Sequence, residues 1–198
     1  MQERIIIWDN DGTILGSKNP ADNSAAAKVI LPGVAYLMNL ENSVNIVCSG
    51  SKTELSERQN FDAEKMVEKF TALMEQLPIT AAVFAPTIGG TECWVVIKDS
   101  CCGGVELRKA HEDPRYAEYI GKFKKPDAGM FAVIRDLLAE FDLPMTEANT
   151  VVIGDAWQDQ AAAKLANLPF IPAQYIHGTM TEIEARDYIN GTKELIGS

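Results

Sequence analysis

The chain has 198 residues and a formal net charge of −10 at pH 7, which suits a single domain with a full core and excludes a broad basic face that would neutralise nucleic-acid phosphates. Its 46% hydrophobic and 23% charged content is that of a soluble globular protein, and no apolar run approaches the length of a membrane span. The N-terminus has no signal-peptide pattern, so the expectation is a cytoplasmic protein without membrane contact, in which only a local basic patch stays open for nucleic acid.

The first legible element is Arg4 to Ile14, RIIIWDNDGTI. Three isoleucines followed by Trp8 have the composition of a buried parallel strand. The run ends at Asp9-Asn10-Asp11-Gly12-Thr13. Two carboxylates two residues apart at the mouth of an apolar strand repel each other unless a cation or a proton sits between them. Gly12 permits a sharp exit from the sheet. The competing reading is a surface turn in which Asp and Asn cap their own backbone. The functional reading is a carboxylate nucleophile beside a divalent-metal site.

Gly16 to Ser24 is polar and reads as a loop. Val34 to Leu40 suits a short helix, and Val44 to Cys48 a second buried strand that ends at Ser49-Gly50-Ser51. From Phe61 to Leu77 apolar residues recur at helical spacing, a stripe assigned to core packing. Pro78 stops that helix, and Ala81 to Ala85 is a third strand. Residues 86–123 read as an excursion from the main sheet, a small lid or hairpin. Within it Cys93–Ile97 and Val105–Leu107 face each other across a Gly-rich loop, and Asp113–Tyr119 is a helix opened by Pro114. Lys124-Lys125-Pro126-Asp127 precedes a helix over Ala128–Phe141. Thr150–Ile153 is a fourth strand ending in Gly154-Asp155, Ala161–Ala166 a helix, and Leu168–Ile171 a fifth strand. Thr181 to Glu184 has capping-box spacing and opens a last helix. Strands alternating with helices predict an α/β fold, a Rossmann-like parallel sheet with helices on both faces.

The four cysteines form no C-x-x-C pair, and with only two histidines a structural zinc site is not expected. Cys48 reads as a buried small hydrophobe, and Cys101-Cys102 as loop residues without a disulfide.

Three strands end in a polar signature: Asp9 with Asp11, Ser49, and Asp155 with Asp159. In an open parallel sheet the carboxyl ends of the strands share one edge, where ligands bind. Four carboxylates on one edge require a cation, and all-oxygen donors suit Mg²⁺, hence phosphate substrates. A transferring phosphoryl group also needs a cationic side chain. Lys125 is the candidate, since it stands where a loop enters a helix.

The order Asp9-x-Asp11-Gly12-Thr13, Ser49, Lys125 and Gly154-Asp155-x-x-x-Asp159 resembles the haloacid dehalogenase superfamily of phosphatases. Lys125-Pro126-Asp127-Ala128-Gly129-Met130 is similar to the K-P-x-x-G-M of the branch with histidinol-phosphate phosphatase and the polynucleotide kinase 3′-phosphatase domain. The resemblance implies a fold without a large cap and a small insertion between the second and third motifs. It implies that Asp9 attacks phosphorus and that Asp11 protonates the leaving oxygen and then activates water. Ser49, Gly50 and Lys125 would contact the phosphoryl group. Asp9, Asp155, Asp159 and the Asp11 backbone carbonyl would hold Mg²⁺. Cys48-Ser49-Gly50 departs from the Thr-Asn-Gln of that branch, and the Cys/His zinc loop of the histidinol and heptose phosphatases is absent. The expected activity is Mg²⁺-dependent phosphomonoester hydrolysis through an aspartyl-phosphate. Its substrate is a small phosphorylated metabolite or a polynucleotide 3′-phosphate. A non-catalytic binding module and a phosphotransferase to an acceptor other than water are the alternatives.

Overall fold

The computed structural model describes residues 3–17, 28–50, 62–99 and 103–177. Part of the Gly16–Ser24 loop, Ser51, Cys101-Cys102 and the helix expected from Thr181 lie outside these described residues. The elements run β1 (Arg4–Trp8), β2 (Leu15–Ser17), β3 (Lys28–Ile30), α1 (Val34–Met38), β4 (Ser43–Gly50), α2 (Ala63–Gln76), β5 (Ala81–Ala85), β6 (Trp94–Lys98), β7 (Val105–Lys109), α3 (Gly129–Glu140), β8 (Thr150–Gly154), α4 (Trp157–Leu165), β9 (Phe170–Pro172) and α5 (Gln174–His177).

Seven of these strands form one sheet in the order β7-β6-β5-β4-β1-β8-β9. Strand β1 is central and pairs in parallel with β4, Ile5 opposite Val44, and with β8, Ile5 opposite Thr150. Because successive side chains alternate between faces, Ile5 and Ile7 enter one core with Ile134 and Leu138 of α3 and Ala162 of α4. Ile6 and Trp8 enter the other, with Leu37 of α1 and Phe70 and Leu73 of α2. Burial on both faces explains the unbroken apolar run. The mostly parallel α/β sheet flanked by helices agrees with the sequence reading.

Three expectations are corrected. The segment 86–123 is not detached from the sheet as a lid: its hairpin extends the sheet, with β6 pairing antiparallel to β5 and β7 to β6. Strand β5 is buried along its whole length, so it needs a neighbour on its open side. The outermost strand β7 carries Glu106, Arg108 and Lys109, charges that blunt an edge against further pairing. The helix expected to open at Pro114 is present, as a 3-10 helix over Pro114–Tyr119. Gly16 and Ser17, which open the stretch read as a loop, instead belong to β2, which pairs with β3, Leu15 opposite Ile30. Helix α4 also begins four residues earlier than expected, at Trp157 rather than Ala161.

One polar residue sits inside the sheet's core. Asn45 of β4 is buried; its Oδ1 accepts from Trp8 Nε1 at 3.0 Å, and its Nδ2 donates to the carbonyls of Met38 at 2.9 Å and Pro78 at 3.1 Å. It ties β1, the end of α1 and the end of α2 to one point. Asn45→Leu strands the Trp8 indole N–H and the Pro78 carbonyl, and leaves the Met38 carbonyl only its bond from Ser43 Oγ at 3.2 Å. Urea denaturation is expected to show a loss of about 2–4 kcal/mol.

Candidate active site

Strand β1 carries the chain to the sheet's carboxyl edge and ends at Asp9, whose N–H donates to the Ile153 carbonyl at 2.8 Å. Strand β8 ends beside it and releases Asp155, and α4 follows with Asp159 in its first turn. Carboxylate oxygens of Asp9, Asp155 and Asp159 all lie within 4.8 Å of one another. Two glycines permit this crowding. Gly12 has φ +91°, and a Cβ there would overlap the Asp155 carboxylate. At Gly154 a Cβ would lie 2.5 Å from Asp159 Cβ. Asp159 is fixed by accepting the Ala156 N–H on Oδ2 at 3.0 Å, which closes the first turn of α4.

Lys125 reaches into this cluster from the loop before α3. Its Nζ donates to Asp9 Oδ1 at 2.6 Å and to the Cys48 carbonyl at 2.9 Å, and pairs with Asp159 Oδ1 at 2.5 Å. Three acceptors use all three ammonium protons. Burial alone would lower the lysine's pKa, but Asp9 foremost, with Asp159 also contributing, raises it above the ordinary value, so it stays charged. Burial foremost raises Asp9 to about 6, with Lys125 acting to lower it and Asp159 and Asp155 acting with burial. Burial also pushes the Cys48 thiol up to about 12, which makes it packing rather than a nucleophile.

Asp11 stands apart from the three-carboxylate cluster. Its carboxylate pairs with Lys28 of β3 and with Lys69 of α2, the latter at 3.4 Å. Burial lowers the Lys69 pKa, with Asp11 acting in the opposite direction. Neither lysine was visible as a site residue. Lys28 belongs to β3, a stretch for which the sequence gives no reading, and Lys69 lies between the apolar positions of a helix assigned to the core. The chain leaving Asp11 is held by His177 of α5, whose Nε2 donates to the Thr13 carbonyl at 2.7 Å.

Ser49, buried at the end of β4, and Gly50 line the same cavity as Asp9, Asp11, Lys125, Asp155 and Asp159. Its volume is about 860 Å³. All seven residues singled out in the sequence therefore meet at one cavity. Its wall adds Ile88, Gly89, Gly121, Lys124 and Trp157, residues for which no motif argues. Three hard oxygen donors around one point fit a divalent cation such as Mg²⁺, and one lysine among three carboxylates leaves negative charge for it to balance.

A family model described as polynucleotide kinase 3 phosphatase matches residues 4–186. Among solved structures, a crystal structure of a HAD-superfamily hydrolase, subfamily IA, variant 1, from Geobacter sulfurreducens PCA is similar at 11% identity. The likeness covers 86% of this chain and 89% of that one with a TM-score of 0.44. No curated protein matches in sequence.

Mg²⁺ at a hundredfold excess over its dissociation constant is expected to raise the Tm by roughly 5–10 °C. Calorimetry should show the shift lost in Asp155→Asn and reduced in Gly12→Ala, whose new Cβ displaces the Asp155 carboxylate. Without metal, the folded protein holds the Asp9 proton up to about pH 6, against an ordinary value of 3.8. The folded state then binds more proton than the unfolded one, so this group's contribution to stability falls as pH rises from about 4 to 6. Asp9→Asn should flatten that segment of the stability–pH curve.

Proposed function

The chain belongs to the polynucleotide kinase 3 phosphatase family, and from that premise we propose that it hydrolyses a phosphomonoester, with the 3′-phosphate end of a polynucleotide as its substrate. The observation that carries this reading is the meeting of Asp9, Asp155 and Asp159 around buried Lys125 at the carboxyl edge of the sheet. A bound Mg²⁺, held by Asp9, Asp155, Asp159 and the Asp11 backbone carbonyl, would neutralise charge on the phosphoryl oxygens.

The chain's own residues divide the remaining work. Asp9 attacks phosphorus as a carboxylate, so it needs no separate base. A bond forms between its Oδ and phosphorus while the ester P–O bond breaks. Asp11 gives a proton to the departing alcohol oxygen. It then takes one from water, which attacks the aspartyl-phosphate, releases inorganic phosphate and restores Asp9. Lys28 and Lys69 restrain the Asp11 carboxylate, and because two cations favour its ionised form, this pairing must loosen for Asp11 to carry the proton it donates. Ser49 and Lys125 hold phosphoryl oxygens, the lysine by giving up one of its three acceptors as substrate binds, and Lys125 anchors the nucleophile beforehand through its contact with Asp9 Oδ1. The complete set of acid, nucleophile and cation argues against a binding module.

The test is phosphate release from a 3′-phosphorylated oligonucleotide in the presence of Mg²⁺. Asp9→Asn is expected to reduce kcat by at least about a thousandfold, and a chelator should abolish turnover of the parent protein. A bound cation favours the Asp9 carboxylate. With saturating Mg²⁺ the acid limb of kcat/KM should therefore lie below pH 6, the value to which burial brings Asp9 without metal. Retention of full activity in Asp9→Asn would sink the reading.

A further inference from the structure

The hydrolytic reading uses Lys125 but not its neighbour. Lys124 lines the same cavity, yet its Nζ is buried and has no hydrogen-bond partner among the described residues. A cation removed from water without an acceptor is costly. Burial accordingly lowers the Lys124 pKa, with no acidic neighbour acting against it. Such an unmet donor in a native fold points to a partner that arrives later.

The position of Lys124 is not left to chance. Its peptide nitrogen lies against Gly90, where a Cβ would stand 2.8 Å away. The Gly90 carbonyl accepts the N–H groups of Gly121 at 3.0 Å and Phe123 at 3.2 Å. Phe123 is fully buried, and the Lys124 carbonyl accepts the Asp127 N–H at 3.0 Å. The lysine stem passes Gly50 at the tip of β4, with Cγ 3.7 Å from where a Cβ would sit. A second feature of the same cavity is Trp157, the first residue of α4 and 66% exposed. Trp8, by contrast, is fully buried and Trp94 partly so. A large aromatic left in water at a cavity wall offers a stacking surface for a planar ring.

We propose that Lys124 recognises a second anionic group on the alcohol half of the substrate, and that Trp157 stacks on the ring attached to it. The ligand class is thus a 3′-phosphorylated nucleotide bearing a further phosphate on its 5′ side, as at the end of a polynucleotide. A simple sugar phosphate satisfies neither residue. The assignment rests on the hydrolytic reading above and names the part of the substrate that the reacting residues do not touch. Lys124 is a specificity residue, because the reacting atoms are served by Asp9, Asp11 and Lys125.

Steady-state kinetics with three probes tests it: thymidine 3′,5′-bisphosphate, thymidine 3′-monophosphate and glycerol 2-phosphate. The parent protein should prefer them in that order. Lys124→Met should lower kcat/KM for the bisphosphate about 10- to 100-fold more than for the monophosphate, chiefly through KM, while Lys124→Arg retains most of the preference. Trp157→Ala should lower kcat/KM for both nucleotides more than for glycerol 2-phosphate. Because Lys124→Met removes a buried unmet charge, its Tm should equal or exceed that of the parent, which a role in holding the fold together would not give. Equal losses on all three probes, or a bisphosphate preference that survives Lys124→Met, would overturn the assignment. Quenching of Trp157 fluorescence by the bisphosphate, measured in Asp9→Asn, separates the two readings. Lys124-dependent quenching without turnover in the parent protein would overturn hydrolysis and support the subsite. Turnover without any Lys124-dependent binding would overturn the subsite alone.

Discussion

Three carboxylates and one ammonium share a point at the end of three neighbouring strands, and the architecture is arranged to tolerate that crowding. Asp9, Asp155 and Asp159 repel one another, and Lys125 offsets only part of the charge. The arrangement persists because β1 and β8 are locked in register from Ile5 opposite Thr150 to Trp8 opposite Ile153. The carboxylates are then held by a rigid sheet and not by their own preferences. Repulsion of this kind favours a cation at the cluster, since an ion there would relieve it.

The backbone around the cluster shows how narrow the tolerances are. Gly12 and Gly154 are needed because neighbouring carboxylates occupy the space a side chain would fill. The N-terminal turn of α4 holds Asp159 through the Ala156 N–H. His177 holds the loop after Asp11 from the far end of the described chain. Each contact is modest by itself, but together they remove the freedom that side chains would use to move apart. The cost of ordering is met before any ligand arrives, which is the condition for positioned catalysis.

Charge is also sorted by role. Lys125 is saturated by three acceptors, Lys28 and Lys69 are committed to Asp11, and Lys124 is placed at the cavity without an acceptor among the described residues. A chain of net charge −10 thereby keeps a small group of cations at one sheet edge. This reconciles an acidic protein with the anionic substrate proposed for it: the whole-chain charge governs long-range encounter, while affinity is decided by a few desolvated contacts.

Much of this was readable from the chain alone. Apolar strands ending in Asp9, Ser49 and Asp155 predict a parallel sheet with its ligands at one edge, because periodicity and strand-end chemistry are local properties. Asp159 followed from its spacing to Asp155, and Lys125 from its place where a loop enters a helix and from the motif resemblance. What lay beyond reach depended on contacts between distant segments. The hairpin β6–β7 reads equally as a lid or an edge, and only the open flank of β5 makes it sheet. Lys69 has the local pattern of any solvated helix lysine, and only the packing of α2 carries it to Asp11. Lys124 and Lys125 are adjacent and chemically identical in sequence. The tertiary structure alone decides that one is buried among aspartates and the other is left without a partner, because a side chain's environment is set by what the rest of the fold brings to it.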